Sequence, residues 1–166
     1  EWQGDKNGFS ITATVKKDSP ERVALAKKIA STTDATLKSQ MVREYGFLSK
    51  YEASAVVTRS EMGDTKDIHF FAITFGDIAI STAPFEQFDT NGKQMRDGVA
   101  DLYKVCFSAG YTNGTKSYVP SNLSSIDNEA AKVHYGGYEV YTCRYEDGTG
   151  DGVAAALTAA LREMAK

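Results

Sequence analysis

The sequence predicts an α/β chain with a mixed β-sheet of about five strands and packed helices, and three observations carry that prediction. Runs of alternating or β-branched residues at 9–15, 53–58, 68–75 and 78–80 read as strands. Stretches from Pro20, from Asp34 to Ser49, from Thr90 and at the C-terminal end repeat apolar residues three and four apart, which is helical spacing. Between two of the strand runs stands Gly76-Asp77, a two-residue break with glycine first. That is the sequence of a type II′ hairpin turn, so at least one strand pair is antiparallel.

Phe9, Ile11, Ala13 and Val15 alternate with polar residues, giving an opening strand with one buried face. Asp18-Ser19-Pro20-Glu21 then starts a helix: Asp or Ser as cap, Pro in the first turn, and an acid near the positive helix end. Val23, Ala26, Ile29 and Ala30 are its buried face, and Leu37, Met41, Tyr45 and Leu48 recur three and four apart in a second helical stretch. Residues 53–58 are expected to be a strand, followed by a polar turn at 60–66 and the hairpin. Residues 83–89 form a strand-to-helix turn, after which Met95, Val99 and Leu102 mark a helix. A strand near 103–108 leads into a long irregular stretch, 110–137, expected to hold a short helix near 128–132. Connections of that length inside a domain are usually functional or disordered. Residues 138–144 read as a strand, and the glycine-rich turn 148–152 opens a closing helix that buries Val153, Leu157, Leu161 and Met164.

The 166 residues are about one ordinary domain, 42% hydrophobic and 25% charged. The net charge of -3 provides no footprint for a phosphate backbone, so nucleic acid is not an expected partner. Apolar runs such as Phe70-Phe71-Ala72-Ile73 are too short for a transmembrane segment. Cys106 and Cys143 allow one disulfide at most and lie in no metal-ligand spacing; free buried thiols in strands are the expectation. The opening residues Glu1-Trp2-Gln3-Gly4-Asp5 show no basic stretch and no initiator Met, so no signal peptide is expected and the chain reads as a piece of a longer product. Two sequons, at Asn113 and Asn122, matter only in a secreted eukaryotic protein.

Ligands of open α/β sheets gather where strands end and helices begin, which directs attention to Glu86 in the 83–89 turn. A carboxylate there can bind a cation, act as a general base, or satisfy N–H groups at the helix start. Tyr111, Tyr118, Tyr135, Tyr138 and Tyr141 supply phenols that can donate to an oxyanion, ligate a cation when ionised, or only pack. The two histidines, His69 and His134, have no paired spacing and no HExxH, so a self-sufficient zinc site is not expected. No GxSxG elbow accompanies them.

Three ordered blocks have a family counterpart. The first runs Phe75-Gly76-Asp77-Ile78-Ala79-Ile80, then Ala83-Pro84-Phe85-Glu86-Gln87-Phe88 and Gly92. The second is Asn113-Gly114-Thr115-Lys116-Ser117-Tyr118-Val119-Pro120, and the third is Gly136-Gly137-Tyr138-Glu139-Val140 before a glycine-rich turn and helix. Together they resemble the neutral/alkaline non-lysosomal ceramidase family over about residues 70–166, with residues 1–60 unaligned.

The resemblance implies that residues 1–166 are a single domain or fragment, the C-terminal part of a ceramidase-like catalytic domain. It implies zinc as cofactor, with Glu86 and Tyr118 as metal ligands and Tyr138 as the catalytic tyrosine that polarises the amide carbonyl. The implied substrate is ceramide or a related lipid amide. The implied partner is the N-terminal part of the catalytic domain, where the family's two zinc histidines and its active-site serine lie. This chain has no counterpart of those residues, its Tyr118–Tyr138 spacing is long for the family, and Thr115 stands where an aromatic is common. An isolated chain of this kind would be inactive. Two other readings stay open: a non-catalytic α/β binding or structural domain without a working metal site, and a related hydrolase of another amide or ester.

Overall fold

Gly76 has φ +55 while Asp77 stays out of the positive-φ region, the combination a type II′ turn requires, and Phe75 pairs with Ile78 across it. This hairpin is the centre of the fold in the computed structural model, which describes residues 4–115, 117–121, 127–128, 133–134 and 137–165. In chain order the described elements are β1 (Gly4–Thr14), α1 (Pro20–Ser31), α2 (Ala35–Glu44), α3 (Lys50–Ser60), β2 (Thr65–Phe75), β3 (Ile78–Thr82), β4 (Glu86–Gln87) and α4 (Asp89–Gly98). There follow β5 (Val105–Ala109), β6 (Tyr118–Val119), β7 (Asp127–Asn128), β8 (Val133–His134), α5 (Gly137–Thr142) and α6 (Thr149–Met164).

The main sheet has four strands in the order β1-β2-β3-β5. β1 and β3 run antiparallel to β2, and β5 runs parallel to β3 after a crossover through α4, so the sheet is mixed and the class is α/β as expected. Ile68, Phe70, Ala72 and Thr74 alternate inward along β2. They pack with Ala13, Val15, Phe85, Met95, Val119 and Tyr145 beneath the α6 residues Val153, Leu157 and Leu161. Burying each such side chain stabilises the fold by about 1.5–3 kcal/mol. A smaller core, Ala26, Ile29, Val42, Phe47, Ala53 and Val56, joins α1, α2 and α3.

Several expectations are corrected. Residues 53–58 are not a strand but the middle of α3, because Ser49 caps that helix through Glu52 N (3.1 Å) and Ala53 and Val56 point into the helical core. Residues 138–142 likewise belong to α5 rather than a strand, and Thr142 Oγ1 donates to the Tyr138 carbonyl four residues back (2.9 Å). The second helix ends at Glu44, with Gly46 at φ +70, so Tyr45 and Leu48 fall outside it; Leu48, and Leu37 within it, are exposed. The α4 helix ends at Gly98, so Leu102 falls outside it. The helix expected near 128–132 falls largely outside the described residues; Asn128 itself is in β7, paired with Val133.

The α1 cap is Ser19, whose Oγ accepts Arg22 N (3.2 Å), and Asp18 turns to a different task. Its carboxylate accepts from Arg59 Nε and Nη2 (2.8 and 2.9 Å), while Arg59 Nη1 donates to the carbonyls of Cys143 (2.9 Å) and Tyr141 (3.3 Å). That buried clamp fixes the chain after α5 to α3. Both cysteines are free; Cys143 is buried but lies outside any strand, and Cys106 is half-buried in β5. Among the described residues no helix is long and apolar enough to cross a membrane.

Candidate functional site

Two strands of two residues each build the site. β4 and β6 pair in parallel, with Glu86 opposite Tyr118 and Gln87 opposite Val119, and Glu86 N donates to the Ser117 carbonyl (3.3 Å). β6 is held from behind by the buried Asn91 side chain, whose amide donates to the Val119 carbonyl (2.7 Å). Gly150 comes so close to the same segment that a Cβ there would lie 2.3 Å from the Pro120 carbonyl oxygen. Close packing of α6 against β6 therefore needs glycine at this position.

Glu86 and Tyr118 thus lie side by side, and α5 brings Tyr138 to them. The Tyr118 and Tyr138 hydroxyls are 2.5 Å apart, with ring centroids 5.5 Å apart and planes at 81°. Tyr111 adds a third phenol, which donates to Glu86 Oε2. Tyr111 (φ 55), Asn113 (φ 64) and Ser117 (φ 93) all have left-handed backbones, an uncommon concentration for non-glycine residues and one associated with functional loops. The Tyr118 phenol is pushed well above the usual range, first by its hydrogen bond with Tyr138, then by burial and the Glu86 carboxylate beside it. Tyr111 is raised too, chiefly because its O–H is bound to Glu86. In the metal-free chain both phenols are therefore neutral.

In front of these groups opens a cleft of about 360 Å³. Tyr111, Tyr118 and Tyr138 line one side; Tyr51, Ser54 and Thr58 of α3 line the other, with Arg144 between Cys143 and Tyr145. The Tyr51 and Tyr138 rings stand 6.3 Å apart across it. The structure therefore brings Glu86, Tyr118 and Tyr138 together, and adds Tyr51, Tyr111 and Arg144. Tyr141 is not among the lining residues, His69 is exposed on β2 and bound through Nδ1 to Ser10 Oγ (2.5 Å), and Tyr135 and the His134 side chain lie outside the described residues. The α3 wall escaped the sequence reading because residues 53–58 look like a strand. The readable signal was Ser49-Lys50-Tyr51-Glu52, a capping-box spacing that starts a helix at Lys50.

Among the described residues there is no group of three or more His, Cys, Asp and Glu side chains that could hold a metal. Glu86 and Tyr118 offer one carboxylate and one phenol oxygen, which fits part of a tetrahedral zinc set and leaves the rest to be supplied from elsewhere.

Fold and cleft together define an α/β layer that gathers phenols around a single carboxylate at a strand-to-helix turn. No family model matches the sequence, and no curated protein matches it. Among solved structures the chain is similar to the neutral ceramidase of Pseudomonas aeruginosa, with a TM-score of 0.50 and 16% identity. The likeness covers 98% of this chain and 28% of the ceramidase chain, so the chain spans about a quarter of that protein's length. At this identity the likeness is one of fold.

Proposed function

We propose that this chain is the C-terminal part of a ceramidase-like, zinc-dependent amidohydrolase acting on ceramide or a related lipid amide. The observation that supports it most is the β4–β6 register, which sets Glu86 against Tyr118 with the Tyr138 hydroxyl 2.5 Å from that of Tyr118. Glu86 and Tyr118 would hold the metal from this side, and residues outside those described would complete the set. Bound zinc supplies Lewis acidity, polarising a carbonyl or lowering the pKa of a bound water. Tyr138 then donates its O–H to the oxygen of the amide as charge develops on it. Its ring is about half exposed, so the hydroxyl is free to turn from Tyr118 to a substrate. Tyr111 orients the Glu86 carboxylate by donating to Oε2, a role that second-layer groups commonly play around metal ligands.

Calorimetric zinc titration of the full-length gene product tests the ligand assignment. Glu86→Ala and Tyr118→Phe are each expected to weaken binding at least tenfold, about 1.4 kcal/mol. Unchanged affinity in both would remove the two ligands, and the chain would then be better described as a binding or structural domain. Ceramide hydrolysis is a separate readout, because a metal site can be correct while the substrate is another amide.

A further inference from the structure

We propose that Arg144 makes the tyrosine cleft a binding site for a small molecule carrying an anionic oxygen group, a carboxylate or a phosphate. Three arginines among the described residues are not exposed: Arg22, Arg59 and Arg144. Arg22 pairs with Glu52 (2.5 Å) and Arg59 with Asp18 (2.8 Å). Among the described residues Arg144 has neither a carboxylate partner nor an aromatic ring at cation–π distance. A half-buried guanidinium with no counter-charge keeps its donors available to a ligand, and among these three arginines only the one at the cleft is in that state.

The surroundings match that charge. Cys143 and Tyr145 on either side are buried, while Arg144 between them is half-buried and lines the cleft. Its position is pinned: its carbonyl accepts Lys16 N (3.0 Å), and the Cys143 carbonyl before it accepts Arg59 (2.9 Å). Among the described residues Arg144 is the one charged residue lining the cleft, the others there being tyrosines, serines, threonines and an alanine. Glu86 is not among them, and its Oε2 is already taken by Tyr111. The described lining therefore sets one cation among hydroxyls, with the Glu86 carboxylate behind Tyr111 and already bound by it, an arrangement suited to a ligand that accepts hydrogen bonds. A planar guanidinium binds carboxylate or phosphate through two parallel N–H donors, which gives orientation as well as affinity. This subsite stands on Arg144 alone; only the choice of an amide as the probe rests on the reading proposed above.

The test is calorimetric binding of N-hexanoylglycine and of its methyl ester to the full-length gene product, without added metal. The two probes share an amide and a chain and differ in one negative charge. The acid is expected to bind about tenfold more tightly than the ester, and Arg144→Met is expected to abolish that preference while leaving the ester unchanged. Arg144→Lys should keep part of it. Should Arg144→Met fail to fold, the wild-type salt dependence decides: added salt should weaken binding of the acid and not of the ester. Competition by inorganic phosphate then separates the sources, since displacement of the acid means the subsite also takes phosphate and its failure restricts the subsite to carboxylates. Equal binding of acid and ester, binding of neither, or a preference that survives in Arg144→Met overturns the proposal. Because the readout involves no zinc, it can fail while the Glu86 and Tyr118 titration succeeds, and the reverse.

Discussion

Replacing Arg59 by Met removes a buried cation that joins α3 to the segment presenting Tyr138 and Arg144. Arg59 is 4% exposed and Asp18 10%, so the substitution leaves a carboxylate out of water with no partner. Breaking a buried pair in this way costs about 3–5 kcal/mol. The carbonyls of Tyr141 and Cys143 lose a donor as well, each such loss costing about 1–3 kcal/mol if water cannot replace it. Tyr141 is half-buried, so water can replace the donor at its carbonyl, and the remaining losses total about 4–8 kcal/mol. Urea unfolding of wild type, Arg59→Met, Asp18→Leu and the double variant closes the cycle. Because the double variant has no buried charge left, it should be more stable than Arg59→Met alone, with a coupling of about 2 kcal/mol or more. Additive single effects, or an Arg59→Met cost below about 1 kcal/mol, would refute the claim that a buried ion pair holds these elements together.

Gly150→Ala should destabilise the protein by about 3 kcal/mol or prevent folding, since the new Cβ meets backbone oxygens of Pro120 and Val119 that cannot move aside; thermal unfolding measures it. Ser49→Ala should cost about 1 kcal/mol through loss of the α3 cap, a change small enough for the same melt to resolve. Burial raises the pKa of both thiols in the folded chain, so Cys106 should react slowly with a disulfide reagent at neutral pH and Cys143 only on unfolding. The same shift has a sign for stability: the contribution of the neutral thiols is fully present below the unfolded pKa of about 8.5 and is lost as pH rises above it. Denaturation midpoints that rise between neutral and alkaline pH on account of these thiols, as judged against a Cys→Ala pair, would contradict it.

Much of the fold was readable where a local signal and the tertiary environment agree. Gly76-Asp77 needs no partner to declare a hairpin, and Val153, Leu157 and Leu161 announce a buried helical face that α6 does bury. Where the two disagree, composition misled. Val56, Val57 and Thr58 favour strands by propensity, yet the Ser49 cap and packing of Ala53 and Val56 on α1 make that stretch helical. Asp18 and Ser19 are equally good caps on paper; only the arrival of Arg59, forty-one residues later, assigns Ser19 to the helix and Asp18 to the ion pair. Glu86, Tyr118 and Tyr138 could be singled out from their blocks, but their convergence depends on strands of two residues, too short to leave a pattern. Tyr111 reaches Glu86 from a left-handed backbone that no propensity foretells, and the role proposed for Arg144 rests on its pairing with no acid among the described residues, which is a property of the folded surface alone.

The most direct measurement of the shared-cation claim is the ultraviolet difference spectrum of the full-length product during zinc addition. Hydrogen bonding and the adjoining carboxylate hold the Tyr118 phenol neutral without a cation, whereas coordination to one inverts that preference. A tyrosinate band should grow in step with zinc at neutral pH, persist in Tyr111→Phe and vanish in Tyr118→Phe. Zinc binding with no such band, or an undiminished band in Tyr118→Phe, would contradict the account.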